Sequence, residues 1–185
     1  MILHCTRKLA ARLPEVSTAR LDNPGLLGSW HANLYAIDRR QCLLLCHDAT
    51  RFCLFVPGLR AEHLKELERW HRELFLASLA TAGVEGAVLK KVELVFGAPR
   101  FDTATDRSVL GSMIIARQDL DGLLMRVGNV LDLDPVLASR HLNERPAMAG
   151  RVLHWPEREM LELRGAAVGR LAAPKASWAV LPIFH

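Results

Sequence analysis

Residues 30–56 read W-H-A-N-L-Y-A-I-D-R-R-Q-C-L-L-L-C-H-D-A-T-R-F-C-L-F-V. Three runs rich in apolar and aromatic residues, Trp30 to Ile37, Gln41 to Cys46 and Arg51 to Val56, are separated by Asp38-Arg39-Arg40 and by His47-Asp48-Ala49-Thr50. Polar connections of that length join antiparallel neighbours, so the stretch predicts a three-stranded meander ending at Pro57-Gly58. The middle run, Cys42-Leu43-Leu44-Leu45-Cys46, has no polar face. A strand apolar on both sides belongs in the middle of a sheet, with helices over at least one face.

Upstream, Met1 to Cys5 reads as a short strand, and Thr6 as the cap of a basic helix from Arg7 to Leu13 that Pro14 follows. Residues 15–28, with Asn23-Pro24-Gly25, read as loop. Downstream the apolar period changes to 3.6, with Leu64, Leu67, Trp70, Leu74 and Ala77 or Ser78 on one stripe of a helix from Arg60 to about Thr81. A shorter helix follows, from Val84 or Ala87 to about Val95, and then an extended stretch near Phe101. Thr105 or Asp106 caps a long helix on the stripe Leu110, Met113, Ile114, Leu120, Leu124 and Val127, with Gly128 as its stop. Asp134-Pro135 opens a helix to Leu142, and Trp155-Pro156 opens another to about Leu163, with Gly165 as terminator. The order predicts an α+β fold, an antiparallel β-meander packed against several α-helices, without β-α-β alternation.

The chain has 185 residues, 50% of them hydrophobic and 24% charged, which excludes disordered, collagen-like and coiled-coil classes. Residues 1–165 are expected to form one domain. Residues 166–185, small and apolar with Pro174 and Pro182, are expected to be a docked or oligomer-contacting tail. Its apolar end, Trp178, Val180, Leu181, Ile183 and Phe184, predicts a homo-oligomer. Net charge is +4 with no long single-sign run, so a basic disordered arm is not expected. No segment reaches the ~18 apolar residues of a membrane span, so no membrane contact is expected. Arg7 and Lys8 follow the first apolar residues instead of preceding them, the reverse of a secretory signal. The four cysteines are therefore expected to be free, buried thiols in the cytoplasm.

Cys42, Cys46, His47 and Cys53 lie within a dozen residues, but on one strand Cys42 and Cys46 stand about 13 Å apart, too far to share a tetrahedral zinc. His63 and His71 are about 12 Å apart along a helix. Asp102 with Asp106, and Asp119 with Asp121, read as ordinary carboxylates near helix ends. Neither G-x-G-x-x-G nor G-x-x-x-x-G-K-[ST] occurs. No metal or cofactor is expected. The start of the long helix carries Thr105, Arg107, Ser108 and Ser112, hydroxyls and a guanidinium beside free helical N–H groups, which suits a small anion or phosphate. The structural alternative is that these residues cap and pack. Arg7, Lys8 and Arg12 on the first helix, with Arg39 and Arg40 at a hairpin tip, form a basic patch if the two elements are adjacent. Trp30, His31 and Tyr35 beside it would stack on nucleic-acid bases if exposed, and belong to the core if not.

C-T-R-K-L-A-A-R-L at 5–13, G-S-W-H-A-N-L-Y-A-I-D-R-R-Q at 28–41, T-D-R-S-V-L-G-S-M at 105–113 and L-N-E-R-P at 142–146 together resemble an uncharacterised bacterial family, the domain of unknown function numbered six-nine-three-three. The resemblance covers most of residues 1–163, and R-S-V-L-G-S is its most specific part. It implies a single domain and supplies no activity. The leading reading is thus a small cytoplasmic binding or regulatory module without evident catalytic machinery, its partner a protein or a small anion. Nucleic-acid binding through the basic patch is the second reading. An enzyme acting on a phosphorylated substrate near Arg107 and Ser108 is the third.

Overall fold

The apolar meander folds as its composition demands, because a strand with large apolar side chains on both sides is stable only with a layer on each face. The computed structural model describes residues 1–172. In chain order these form β1 (Ile2–Cys5), α1 (Arg7–Ala10), β2 (Ser29–Ile37), β3 (Arg40–His47), β4 (Cys53–Val56), α2 (Ala61–Lys65), α3 (Leu67–Thr81) and α4 (Gly86–Phe96). There follow β5 (Arg100–Asp102), α5 (Arg107–Val127), a 3-10 turn (Val130–Asp132), α6 (Pro135–Asn143), β6 (Ala147–Ala149), β7 (Val152–His154) and α7 (Pro156–Ala172). The fold is α+β, with β6 and β7 as a separate hairpin. The expected oligomer contact through Trp178 to Phe184 lies outside the described residues.

The main sheet runs β4-β3-β2-β1-β5. The meander is antiparallel, as its short connections required. Contrary to the expected lack of alternation, β1 lies parallel to β2, reached through α1 and the loop after it, and parallel to β5 on its other side. Burial explains the placement, since every residue of Ile2-Leu3-His4-Cys5 is inside, as a strand needs when it has neighbours on both edges and layers on both faces.

Alternation along the strands sorts two cores. One face carries Leu3, Cys5, Trp30, Ala32, Leu34, Leu43, Leu45 and Leu54, packed with residues of α3, α4 and α7. The other carries Ile37, Cys42, Leu44, Cys46, Cys53 and Phe55 under α5 and α6. Asn143 of α6 ties that face to β4, its amide accepting from Cys53 N at 2.6 Å and donating to Cys53 O at 2.8 Å. Fully burying a side chain such as Phe75 contributes about 1.5–3 kcal/mol.

Several local expectations shift. Thr6 stands at the N-cap of α1, its carbonyl accepting the Leu9 and Ala10 N–H groups at 2.9 Å, but its hydroxyl donates to Asn33 at 2.8 Å instead of capping, and the helix stops at Ala10. The helix expected from Arg60 breaks at Glu66 into α2 and α3. The buried stripe of α3 keeps the expected Leu67, Leu74 and Ser78 and adds His71, Phe75 and Leu79, which leaves Trp70 at its margin, edge-on to His63. α7 runs through Gly165, and β6 and β7, too short to leave a period, were invisible in the sequence.

Candidate functional site

Register places five residues in one row across all five strands: Cys53, Cys46, His31, His4 and Asp102. Neighbours in register point to the same face. At the β4–β3 end the row is thiol and lies in the core. Over β2, β1 and β5 it is polar, and there it forms the floor of a cleft of about 320 Å³ lined by His4, His31, Asp48, Arg20, Arg51, Asp106 and Ser108.

His4 Nδ1 lies 2.6 Å from Asp102 Oδ1. Asp102 has no exposed surface and also accepts from Leu21 N at 2.8 Å and Ala104 N at 3.0 Å. Burial alone would raise its carboxyl pKa; the Leu21 N–H, the His4 ring and the Ala104 N–H outweigh that and hold it below the usual carboxylate range. An ionised Asp102 accepts only, so His4 Nδ1 carries the proton. In the neutral ring Nε2 then carries the lone pair, and among the described residues it has no hydrogen-bond partner. The nearest carboxylate is Asp48, its Oδ2 3.7 Å away.

Asp48 is on the β3–β4 turn and reaches back over β2, accepting from His31 Nδ1 at 2.6 Å and Ser29 Oγ at 2.6 Å. Against a burial cost, these donors lower its pKa too. His31 Nε2 accepts the Asp106 backbone N–H at 2.6 Å, so both ring nitrogens of His31 are used internally. The two rings stand 5.0 Å apart. His4 is therefore the histidine with a nitrogen available to a ligand.

Arg51 closes the wall. Its backbone is left-handed (φ 59°), a conformation that costs a non-glycine residue of order 1 kcal/mol and concentrates at functional sites. Its guanidinium donates to Asp48 O on its own turn and to Ser108 Oγ at 3.2 Å on α5, while Nε is buried without a partner among the described residues.

The four anion candidates separate. Ser108 lines the cleft. Arg107 projects outward from the first turn of α5. Thr105 is half-buried just before the cap, its N–H donating to Thr103 O at 2.9 Å. Ser112 is buried one turn further on, back-bonded to Ser108 O at 3.3 Å, and faces α6. The cap is Asp106, whose carboxylate takes the Ser108 and Val109 N–H groups at 2.7 and 3.1 Å, so those donors are already satisfied. A side chain at Gly111 would meet nothing, so that glycine does not serve close packing.

The basic candidates are split as well. Arg12 lines a groove with Lys65 of α2, whereas Arg39 and Arg40 line a second cleft with Arg60; Arg7 and Lys8 are exposed on α1 and line neither. Trp30 and His31 are each 1% exposed, and Tyr35 is half-buried against the second core, so two of the three aromatics of the nucleic-acid reading are inside. Among the described residues no three His, Cys, Asp or Glu side chains are grouped to hold a metal ion. No described helix is long and apolar enough to cross a membrane.

Sequence reasoning missed His4, Asp48, Arg51 and Arg20. The available signals were a histidine inside a buried strand and an acid–base pair, Asp48 and Arg51, in a hairpin connection. The partner of His4 is 98 residues away, a distance that no motif spans. No curated protein and no solved structure matches the chain. The family described as Domain of unknown function (DUF6933) matches residues 2–159, which include the whole cleft, and the chain belongs to that family.

Proposed function

We propose that the protein is an enzyme that uses His4 Nε2 as a general base and acid on a small ligand in the cleft. One observation carries the reading: the Nδ1–H of His4 is held by buried Asp102 while Nε2 opens, unpartnered, onto the cleft. In the forward step a ligand O–H or N–H gives its proton to Nε2, and the new imidazolium lies between Asp102 and Asp48, two carboxylates that stabilise it. In the return step Nε2 gives that proton to a leaving group or product. Positioned acid–base groups of this kind contribute about 10²–10⁴-fold in rate. Arg20, Arg51 and the Ser108 hydroxyl supply donors at the rim for a polar or anionic group of the ligand, which favours the enzymatic reading over a purely binding module. The cytoplasm fits four free, buried thiols.

Carbethoxylation by diethyl pyrocarbonate, mapped by peptide mass spectrometry on the folded protein, tests the base directly. Modification of His4 with protection of His31, His47 and His71 is expected, and it should slow in Asp102→Asn. A protected His4 contradicts the proposal.

A further inference from the structure

At the opposite end of β2 from the His4 cleft, the β2–β3 hairpin and the start of α2 enclose a second cleft of about 230 Å³, lined by Arg39, Arg40, Gln41, Gly58, Arg60 and Leu131. Ile37 is six residues from His31, or about 20 Å along the strand, so the two clefts do not share a ligand. We infer that this cleft is a binding site for a hydroxyl-bearing phosphomonoester, independent of the acid–base reading of His4.

Charge comes first. Three arginines line the cleft, and among the described residues no Asp or Glu does. Asp38, at the hairpin itself, does not line it and is already engaged: its Oδ2 accepts the Val130 N–H at 3.0 Å, which anchors the tip to the 3-10 turn. Glu62 approaches Arg60 at 3.5 Å, but both side chains are largely exposed, and such a pair is worth little against a dianion. Guanidiniums bind phosphate oxygens through paired N–H donors, and three arginines around one cleft bring such donors within reach of a single ligand.

The cleft is also built. Arg39 is held at φ 61°, a left-handed conformation that an ordinary surface hairpin assigns to Gly or Asn. Gly58 is left-handed as well (φ 59°), and a side chain there would collide with Leu131, the apolar wall. Gln41 is fixed through its backbone carbonyl, which accepts the Leu59 N–H at 2.6 Å.

An orphaned acceptor adds the second half of the specificity. Gln41 Oε1 is buried without a donor among the described residues. A buried acceptor without a donor costs about 1–3 kcal/mol, so Gln41, a lining residue of the cleft, gains by turning Oε1 out to a ligand hydroxyl beside the phosphate. Bare inorganic phosphate lacks that adjacent group. The chemistry called for is a phosphate carried on a small polyol.

Isothermal titration of the full chain with glycerol 3-phosphate, methyl phosphate and glycerol tests this. One glycerol 3-phosphate per chain is expected, bound more tightly than methyl phosphate, with glycerol alone silent. Arg40→Ala and Arg60→Ala each weaken binding about tenfold or more, the size of a hydrogen bond to a charged partner. Gln41→Met equalises the two phosphates, and His4→Gln leaves both unchanged. Circular dichroism confirms that each variant is folded. The inference is overturned if the folded wild type binds neither phosphate, if the arginine variants bind as well as wild type, or if binding is lost in His4→Gln. It is equally overturned if a single-stranded oligonucleotide displaces the ligand with an affinity that falls steeply with salt, which would make the cleft part of a nucleic-acid track.

Discussion

His47 and His71 lie on one face of the sheet and His4 and His31 on the other, all four almost completely buried, yet the two faces surround them differently. His47 sits in the aromatic core beside Trp30, its Nε2–H donating to Leu27 O at 2.8 Å and its Nδ1 accepting from Thr50. His71 is edge-on to Trp30 and Phe96, with neither ring nitrogen partnered among the described residues. Burial pushes these two pKa values down, to about 4 and about 3. Across the sheet each histidine instead has a carboxylate within 2.6 Å, and a cleft opens over them. Burial alone makes a histidine a neutral core residue; an oriented carboxylate and one open nitrogen are what the proposed base has in addition.

That contrast can be broken from either side. Phe75→Ala removes the ring packed on Trp30 and Phe96 and should cost about 3–5 kcal/mol in a denaturant titration, while His4 keeps its reactivity in the fraction that remains folded. Asp102→Asn works on the other face. Removing the charge that accepts three donors should cost about 1.5–3 kcal/mol and also reduce His4 carbethoxylation; loss of stability without loss of reactivity would show that Asp102 only packs.

Acid separates the faces by pH. The folded-state pKa values of His47 and His71 lie below the unfolded value of 6.5, so the unfolded state binds more protons between those limits. Their stabilisation is complete above pH 6.5 and is lost as pH falls towards about 4 and about 3, at up to about 1.4 kcal/mol per pH unit for each histidine. Asp48, Asp102 and Asp106 are held below their usual value of 3.8, so their contribution is present above it and is lost only at lower pH. His71→Leu should therefore about halve the slope of the pH 4–6.5 limb of a stability profile, leaving the share of His47, and leave the carboxylate limb below about pH 3 in place. The smallest effect is expected at Arg107, which is exposed: Arg107→Ala should change stability by less than about 0.5 kcal/mol and leave His4 reactivity as it was.

The legible parts of this fold are those carried by local patterns. The meander, the caps at Asp106 and Asp134, the left-handed stop at Gly128 and the burial of the four thiols follow from periodicity and from residues a few places apart. The place of β1 did not follow, because four buried residues leave no period to tell an edge strand from a central one. The site was illegible for a related reason. It is assembled by register, and Asp102, His4 and Asp48 become neighbours only once β1 lies between β2 and β5. The R-S-V-L-G-S motif lies at the helix end beside the His4 cleft, where Ser108 lines it and Arg107 and Ser112 do not.

The orientation of His4 is the central claim, and two-bond 1H–15N correlation spectra of the imidazole rings at neutral pH test it most directly. The account predicts Nδ1–H tautomers for His4 and His31, an Nε2–H tautomer for His47, and a His4 Nε2 signal that responds to ligands entering the cleft. A proton resting on His4 Nε2, with Nδ1 as the bare nitrogen, would contradict it, because the ring could then accept no proton from the cleft.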